Sequence, residues 1–330
     1  MISPLPTHER LANFQHWISR HLSENPIKLT PLAGDASFRQ YFRIKLHDKT
    51  FIAVDAPPEL ENSHSFVALA KVFAKQGLKV PEVIQADLDQ GFMLQTDLGD
   101  NLFFHVLNSS NVDRLYKQAL EKLLLIQSCH QDNGWHFPIF DFALFAEELK
   151  RFQHWYLLTH LQLNLTEQTQ TLLTETFQAL IQSALSQPQL CVHRDYHSRN
   201  LLQLADGDLG IIDFQDALMG PITYDVVSLL RDCYLAWPPE QVEEWALFYY
   251  ELAVDAALLP AGSSQQFLRW FDWMGIQRHL KAIYIFARKW HRDGNDIYLN
   301  DIPRTLNYVL EVSAKYPELT EFRRFLSGCV

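Results

Sequence analysis

The stretch Cys191-Val192-His193-Arg194-Asp195-Tyr196-His197-Ser198-Arg199-Asn200, followed by Gly210-Ile211-Ile212-Asp213-Phe214-Gln215-Asp216, decides how the rest of the chain is read. The apolar runs at 190–192 and 209–212 have the composition of buried strands, and the turn residues Asp206-Gly207-Asp208 lie between them. Each run leads into an aspartate, and Asn200 stands five residues after the first. A single aspartate after a strand is ordinarily a helix cap or a turn residue. Several coincident positions bracketed by two strands indicate a site instead.

Phosphoryl transfer asks little of a protein. It needs a carboxylate to orient or accept the hydroxyl proton, and hard oxygen ligands for the Mg²⁺ that neutralises a triphosphate. Asp195 suits the first role, and Asn200 with Asp213 the second. His193-Arg194-Asp195 with Asn200 fits the signature H-R-D-x-x-x-x-N. Asp213-Phe214 opens its second half, with Gln215 in place of the glycine of D-F-G. His193 and His197 suggest a rival site, two imidazoles on one metal completed by Asp195 and Asp213. That reading needs both rings on one helical face, as in H-E-x-x-H, whereas these follow a strand-like run. His193 is therefore read as a core histidine that shapes the loop.

Length and composition set the frame. The 330 residues suffice for one large or two smaller domains, and 48% hydrophobic with 13% aromatic residues supplies a packed core. A net charge of −11 argues against a nucleic-acid or anionic-membrane partner, and leaves any phosphate site dependent on local cations or a metal. Cys129, Cys191, Cys233 and Cys329 are far apart and read as reduced thiols. No secretory signal opens the chain and no apolar run reaches the length of a membrane span, so a soluble cytoplasmic protein is expected.

The spacing of Leu11, Phe14, Ile18 and Leu22 predicts a helix over 7–23. Phe42, Ile44 and Leu46 alternate with Arg43 and Lys45, a strand that turns at His47-Asp48-Lys49 into a second strand at 51–54. Phe66, Leu69, Ala70 and Phe73 predict a helix stopped by Gly77, and residues 91–95 a further strand broken by Asp97-Leu98-Gly99-Asp100. Helical periodicity dominates afterwards, at 111–129, 141–161, 166–185, 239–258 and 264–290. The expected class is α+β, with a small β-rich lobe at 1–97 and a larger helical lobe at 98–330 that holds one short hairpin.

At these residues the chain resembles the aminoglycoside-phosphotransferase-like, protein-kinase-like superfamily. It resembles more closely the bacterial N-acetylmuramate/N-acetylglucosamine anomeric kinases of peptidoglycan recycling. The central motif carries the first likeness. The second rests on Gly34-Asp35-Ala36-Ser37-Phe38-Arg39, Asp55-Ala56-Pro57-Pro58-Glu59, Thr96-Asp97-Leu98-Gly99-Asp100, Gly220-Pro221-Ile222-Thr223-Tyr224-Asp225 and Met274-Gly275-Ile276-Gln277-Arg278-His279-Leu280-Lys281. The resemblance implies a two-lobed kinase fold with ATP in the cleft. It implies Asp195 as the catalytic base and Asn200 and Asp213 as Mg²⁺ ligands. It further implies Gln95, Thr96, Asp97 and Leu98 as the hinge meeting adenine, and Gly34, Ser37, Phe38 and Arg39 as the turn over the phosphates. The acceptor it implies is an amino sugar phosphorylated on its anomeric hydroxyl, by a chain taken as monomeric.

One departure stands out. Kinases carry a phosphate-binding lysine on the third strand, paired with a glutamate on the next helix. Here the strand reads Phe51-Ile52-Ala53-Val54-Asp55 and the helix contains no glutamate, which leaves Arg39, Arg43 or Lys45 to supply the charge. No A-P-E follows Asp213, which disfavours a protein acceptor. Asp216 and Arg278 are candidate acceptor contacts, Arg278 among Lys281, Arg288 and Arg292 as cations for an acidic sugar. Asp225 is expected to cap the following helix and brace the loop. Two other readings stay open at this level, an aminoglycoside or amino-alcohol acceptor and a nucleotide-binding scaffold without turnover.

Overall fold

The computed structural model describes residues 8–24, 26–32, 38–130 and 135–329. The chain divides into two units, the first running to Asn101 and taking in Leu201–Asp216, the second holding Leu102–His130, Phe137–Asn200 and the chain from Ala217. Among the described residues, no helix is long and apolar enough to cross a membrane.

In the first unit, α1 (His8–Leu22) precedes an antiparallel sheet of β1 (Thr30–Pro31), β2 (Gln40–Leu46), β3 (Lys49–Asp55), β4 (Val83–Asp87) and β5 (Phe92–Thr96). The sheet order is β1-β2-β3-β5-β4. The alternation read in β2 buries Phe42 and Ile44, which meet Phe14, Trp17 and Ile18 of α1 and Phe92 and Leu94 of β5 in one apolar cluster. Arg10 ties α1 to β3, its Nε 3.0 Å from the Asp55 carboxylate. The Asp55 of the resemblance segment therefore has a structural partner. Helix α2 (His64–Lys75) buries Phe66, Leu69, Ala70 and Phe73, the four positions of its predicted apolar stripe.

The central stretch pairs differently from the expected single hairpin. The run at 190–192 belongs to β6 (Gln189–Val192), whereas Leu201–Gln203 forms a strand, β7, that pairs with β8 (Leu209–Ile211). The Asp206-Gly207-Asp208 turn joins β7 to β8, with Gly207 at φ +83°. Strand β6 instead pairs with β9 (Leu218–Pro221), which the sequence reading missed. The reason is chain length: residues 193–200 are a loop in their own right, so the tight turn can connect only the strands that abut it. Hairpin β7–β8 lies in the first unit, where the Ile211 amide donates to the Lys79 carbonyl at 2.9 Å.

The second unit is helical, with α3 (Phe103–Val106), α4 (Val112–Gln127), α5 (Phe142–Phe152), α6 (Glu167–Leu185), α7 (Tyr224–Leu230) and α8 (Pro239–Asp255), followed by the 30-residue α9 (Ser264–Asp293) and then α10 (Ile302–Ser313) and α11 (Thr320–Ser327). The predicted helix at 141–161 is α5 continued by a wider π-helical stretch, Gln153–His160, in which the Thr159 hydroxyl donates to the His154 carbonyl at 2.8 Å. Helix α9 is the hub. It buries residues around much of its circumference, Phe271, Met274, Ile276, Gln277, Arg278 and Leu280 among them, and so reads as apolar on more than one face.

One glycine is obligatory. Gly91 sits at φ +74°, and a Cβ there would lie 1.9 Å from the Ala56 carbonyl oxygen. Its own carbonyl accepts from the Ala56 amide at 2.8 Å. Gly91→Ala is expected to cost the first unit about 2–4 kcal/mol, since both strain and a displaced strand pairing result. A urea titration checks this, and an unchanged midpoint would show that the turn opens freely.

Candidate active site

Strand β6 delivers the chain into the loop at 193–200, and nearly every peptide of that loop is pinned. The buried Asp225, in the first turn of α7, accepts from the amides of His193 at 2.6 Å and Arg194 at 3.0 Å. Asp232, just beyond α7, accepts from the amide of Ser198 at 3.0 Å. The Ser198 carbonyl accepts from Phe104 at 2.9 Å, and the Asn200 side-chain amide donates to the Asp195 carbonyl at 2.9 Å. Arg194 has φ +77°, a left-handed conformation unusual for a residue with a side chain, so the loop holds local strain. The fully buried His193 accepts from the Asp195 amide through Nδ1, at 3.3 Å, as a loop-shaping core histidine does. Asp225 thus braces the loop as expected, while the cap position of its helix falls to Thr223.

The side chains anchor outward. Arg194 donates to Glu148 at 3.0 Å, and the Tyr196 hydroxyl to the Ala119 carbonyl at 2.8 Å. The guanidinium of Arg199 lies 3.8 Å from the ring centre of Tyr234 and 4.8 Å from that of Phe104. What remains presented is Asp195. Burial alone would raise its pKa, but Lys281, His197, Arg278 and Arg194 outweigh burial and hold the carboxyl well below the usual carboxylate range. It is charged at neutral pH, the state that accepts a hydrogen bond from an alcohol. Burial pushes Asp225 up to about 7, against the two amides that favour its charged form.

Asp213 lies in the first unit, exposed and at φ +65°, with Gln215 donating to its Oδ1 at 2.8 Å. Phe214 sets its place, buried with its ring stacked on Phe66 at 4.9 Å and edge-on to Phe73 at 5.4 Å. Arg39 is buried, 3.3 Å from Glu61, and the other Glu61 oxygen accepts from the Phe38 amide at 2.9 Å. Burial raises the Tyr41 hydroxyl to about 12, Arg39 opposing while Asp213 and Glu61 reinforce it, which puts these four groups in one electrostatic neighbourhood. Gly34 and Ser37 fall outside the described residues.

In the expected hinge, Gln95 is buried and the Thr96 hydroxyl accepts from the Glu82 amide at 2.9 Å. Leu98 packs where a Cβ on Gly210 would meet it at 3.2 Å. Asp97 is held by Arg43 at 2.7 Å, and Arg43 also engages Asp100 at 2.7 Å. Two carboxylates thus neutralise Arg43, and Lys45 points to solvent. Asp216 is exposed. Asp195, Asn200 and Arg278 share the second unit, while Asp213, Asp216, the hinge and Arg39 belong to the first.

The sequence reading missed Glu148 and Asp232. Glu148 occupies the apolar register of α5 with Phe145, Leu149 and Phe152, and an acid in such a register is itself a signal of a buried partner. Among the helical-lobe aromatics, Tyr156, Trp273 and Tyr284 are core, whereas Trp290 is exposed. No group of three or more His, Cys, Asp or Glu side chains able to hold a metal occurs among the described residues. His193 and His197 lie on the loop, not on a helix, as the argument against the two-histidine site supposed.

Comparison with known proteins gives the family. Residues 28–258 match the family described as "Phosphotransferase enzyme family". The chain belongs to that family. This phosphotransferase is 41% identical over 303 residues to the N-acetylmuramate/N-acetylglucosamine kinase of Pseudomonas aeruginosa, covering 92% of this chain and 89% of the relative. It is 37% identical to the kinase of the same name from Neisseria meningitidis, covering 94% and 93%. Among solved structures it is similar to a Plasmodium vivax ethanolamine kinase, with TM-score 0.64 and 11% identity over 93% and 91% of the two chains. A choline kinase from Streptococcus pneumoniae gives TM-score 0.62 and 15% identity over 93% and 100%. These distant likenesses establish the fold, and the expected α+β protein-kinase-like class is borne out.

The loop's geometry predicts a separable defect. Asp225→Asn replaces one of the two accepting oxygens with an NH2 group, a donor facing a backbone N–H donor, so one of the two bonds is lost. Turnover should fall about 10²-fold as Asp195 loses its placement, while calorimetric ATP affinity stays within about threefold. Equal losses in both would show that Asp225 serves general folding.

Proposed function

We propose that this phosphotransferase transfers the γ-phosphoryl group of ATP to the anomeric hydroxyl of N-acetylmuramate and N-acetylglucosamine, giving the sugar 1-phosphates that cell-wall recycling consumes. The observation that carries the reading is a charged Asp195 on a fully braced loop, in a chain whose relatives bear that name across nearly its whole length. The acceptor hydroxyl donates to Asp195, which orients it in line with the phosphorus and takes its proton as the bond forms.

Asn200 and Asp213 are the proposed Mg²⁺ ligands, and their chemistry fits. The Asn200 amide nitrogen is committed to the Asp195 carbonyl, which fixes that side chain beside Asp195, and Asp213 offers an exposed carboxylate. When bound, Mg²⁺ neutralises charge on the phosphate oxygens. Gln95, Thr96, Asp97 and Leu98 supply backbone to adenine, and Gly34, Ser37 and Phe38 the turn over the phosphates. Arg39 serves as the cation in place of the missing strand lysine, with Glu61 in the orienting role. Arg43 is less suited because Asp97 and Asp100 already neutralise it.

Lys281, Arg278 and Arg194 surround Asp195, and with Lys281 and Arg194 sharing the single charge of Glu148 the balance there stays cationic. That supports an acidic or neutral sugar over an aminoglycoside or amino alcohol, whose cations would be repelled. Buried free thiols at Cys129, Cys191 and Cys233 support a reducing, cytoplasmic setting for the reaction.

Incubation with Mg-ATP and a panel of amino sugars, their 1-O-methyl glycosides and aminoglycosides, followed by ³¹P NMR, tests the reading. The free sugars yield 1-phosphates and the methyl glycosides yield nothing, whereas equal phosphorylation of the glycosides would sink the anomeric assignment. Asp195→Asn should lower kcat by about 10²–10⁴-fold with ATP binding retained. Activity that survives this change largely intact would remove Asp195 from the role.

A further inference from the structure

Helix α9 aims two cations at the neighbourhood of Asp195, Arg278 and Lys281, three residues apart on one face. Their circumstances differ. Lys281 donates to the Tyr224 hydroxyl at 2.8 Å and lies 3.6 Å from Glu148, so its charge is matched inside the protein. Glu148 is itself fully engaged, by Arg194 at 3.0 Å and Gln277 at 2.8 Å. Arg278 is only 6% exposed, yet among the described residues its one hydrogen bond runs from Nε to the Ser228 hydroxyl. Among them it forms no ion pair, its two terminal nitrogens carry no hydrogen bond, and neither is sealed from solvent.

Nearby acids do not complete it. The carboxylate of Asp232 is taken by the amides of Ser198 at 3.0 Å and Tyr234 at 2.9 Å. Asp195 is held for the acceptor hydroxyl. A guanidinium removed from water with its outer donors unmatched is costly, and the cost is offset only when an anion docks. The parallel donors of an arginine edge match the two oxygens of a carboxylate.

We propose that Arg278 determines acceptor specificity by receiving, through its two terminal nitrogens, the carboxylate of an acidic sugar. Resting on the function proposed above, that carboxylate is the lactyl group of N-acetylmuramate, which N-acetylglucosamine lacks. Arg278 therefore sets the preference between the two sugars, and Asp195 acts on both alike.

The test compares kcat/KM for N-acetylmuramate, its methyl ester and N-acetylglucosamine in wild type, Arg278→Gln and Arg278→Lys. In wild type, esterification should lower kcat/KM about 50-fold, the effect residing in KM. In Arg278→Gln the ratio of N-acetylmuramate to N-acetylglucosamine should fall by the same factor and the ester penalty should vanish. Arg278→Lys, which keeps the charge and loses the fork, should recover part of the ratio. An unchanged ratio in both variants, or an ester penalty that persists in them, overturns the proposal. Should wild type phosphorylate neither sugar, the functional reading fails by itself. Calorimetric titration of the acid against its ester, on wild type and Arg278→Lys, then decides the carboxylate site alone.

Discussion

The contact on which the second unit's chemistry depends is a buried carboxylate gripping two consecutive peptide groups. Asp225 accepts from His193 and Arg194 together, and this double grip holds Arg194 in a left-handed conformation that its own Cβ opposes. The strain is about 1 kcal/mol, comparable to the worth of one such hydrogen bond, so two bonds to one carboxyl group suffice to hold it. Asp232 repeats the device farther along, and the side-chain amide of Asn200 closes the loop back onto Asp195. Preorganisation of this kind is what the role proposed for Asp195 requires.

Charge is distributed with the same economy. The chain as a whole is acidic at −11, yet the field at Asp195 is dominated by Lys281, His197, Arg278 and Arg194. A carboxylate surrounded by cations is a weak base but a dependable hydrogen-bond acceptor. A loose phosphoryl-transfer transition state tolerates a weak base, because positioning and charge stabilisation carry most of the catalysis. The acidity of the chain and the cations around Asp195 do not conflict, because an interaction in a water-poor site outweighs distant surface charge.

Much of this was legible in the sequence. The period-two alternation of Phe42 and Ile44, and the stripe of Phe66, Leu69, Ala70 and Phe73, report burial directly because each element meets its partner with one face. The partner of β6 was hidden, because strands of three or four residues carry too little pattern to declare which neighbour they pair with. The choice among the cations of α9 was hidden for a related reason. A 30-residue helix buried around much of its circumference gives no periodicity from which to tell a buried arginine from a solvated one. Glu148 was overlooked because an acid within an amphipathic helix is normally assigned to the wet face, and only its register with Phe145 and Phe152 contradicts that.

Glu148 also carries a consequence for how this protein can change. Its two oxygens serve Arg194 from the loop, Gln277 from one turn of α9 and Lys281 from the next. Removing any one of the three redistributes the carboxylate among the others, so the cost of a second removal depends on which came first. Substitutions at these positions are therefore strongly epistatic, with coupling of about 0.5–3 kcal/mol expected among residues of one buried network. A lineage that altered the cations of this network would have to alter the acid they share in the same interval, which makes this corner of the molecule slow to drift.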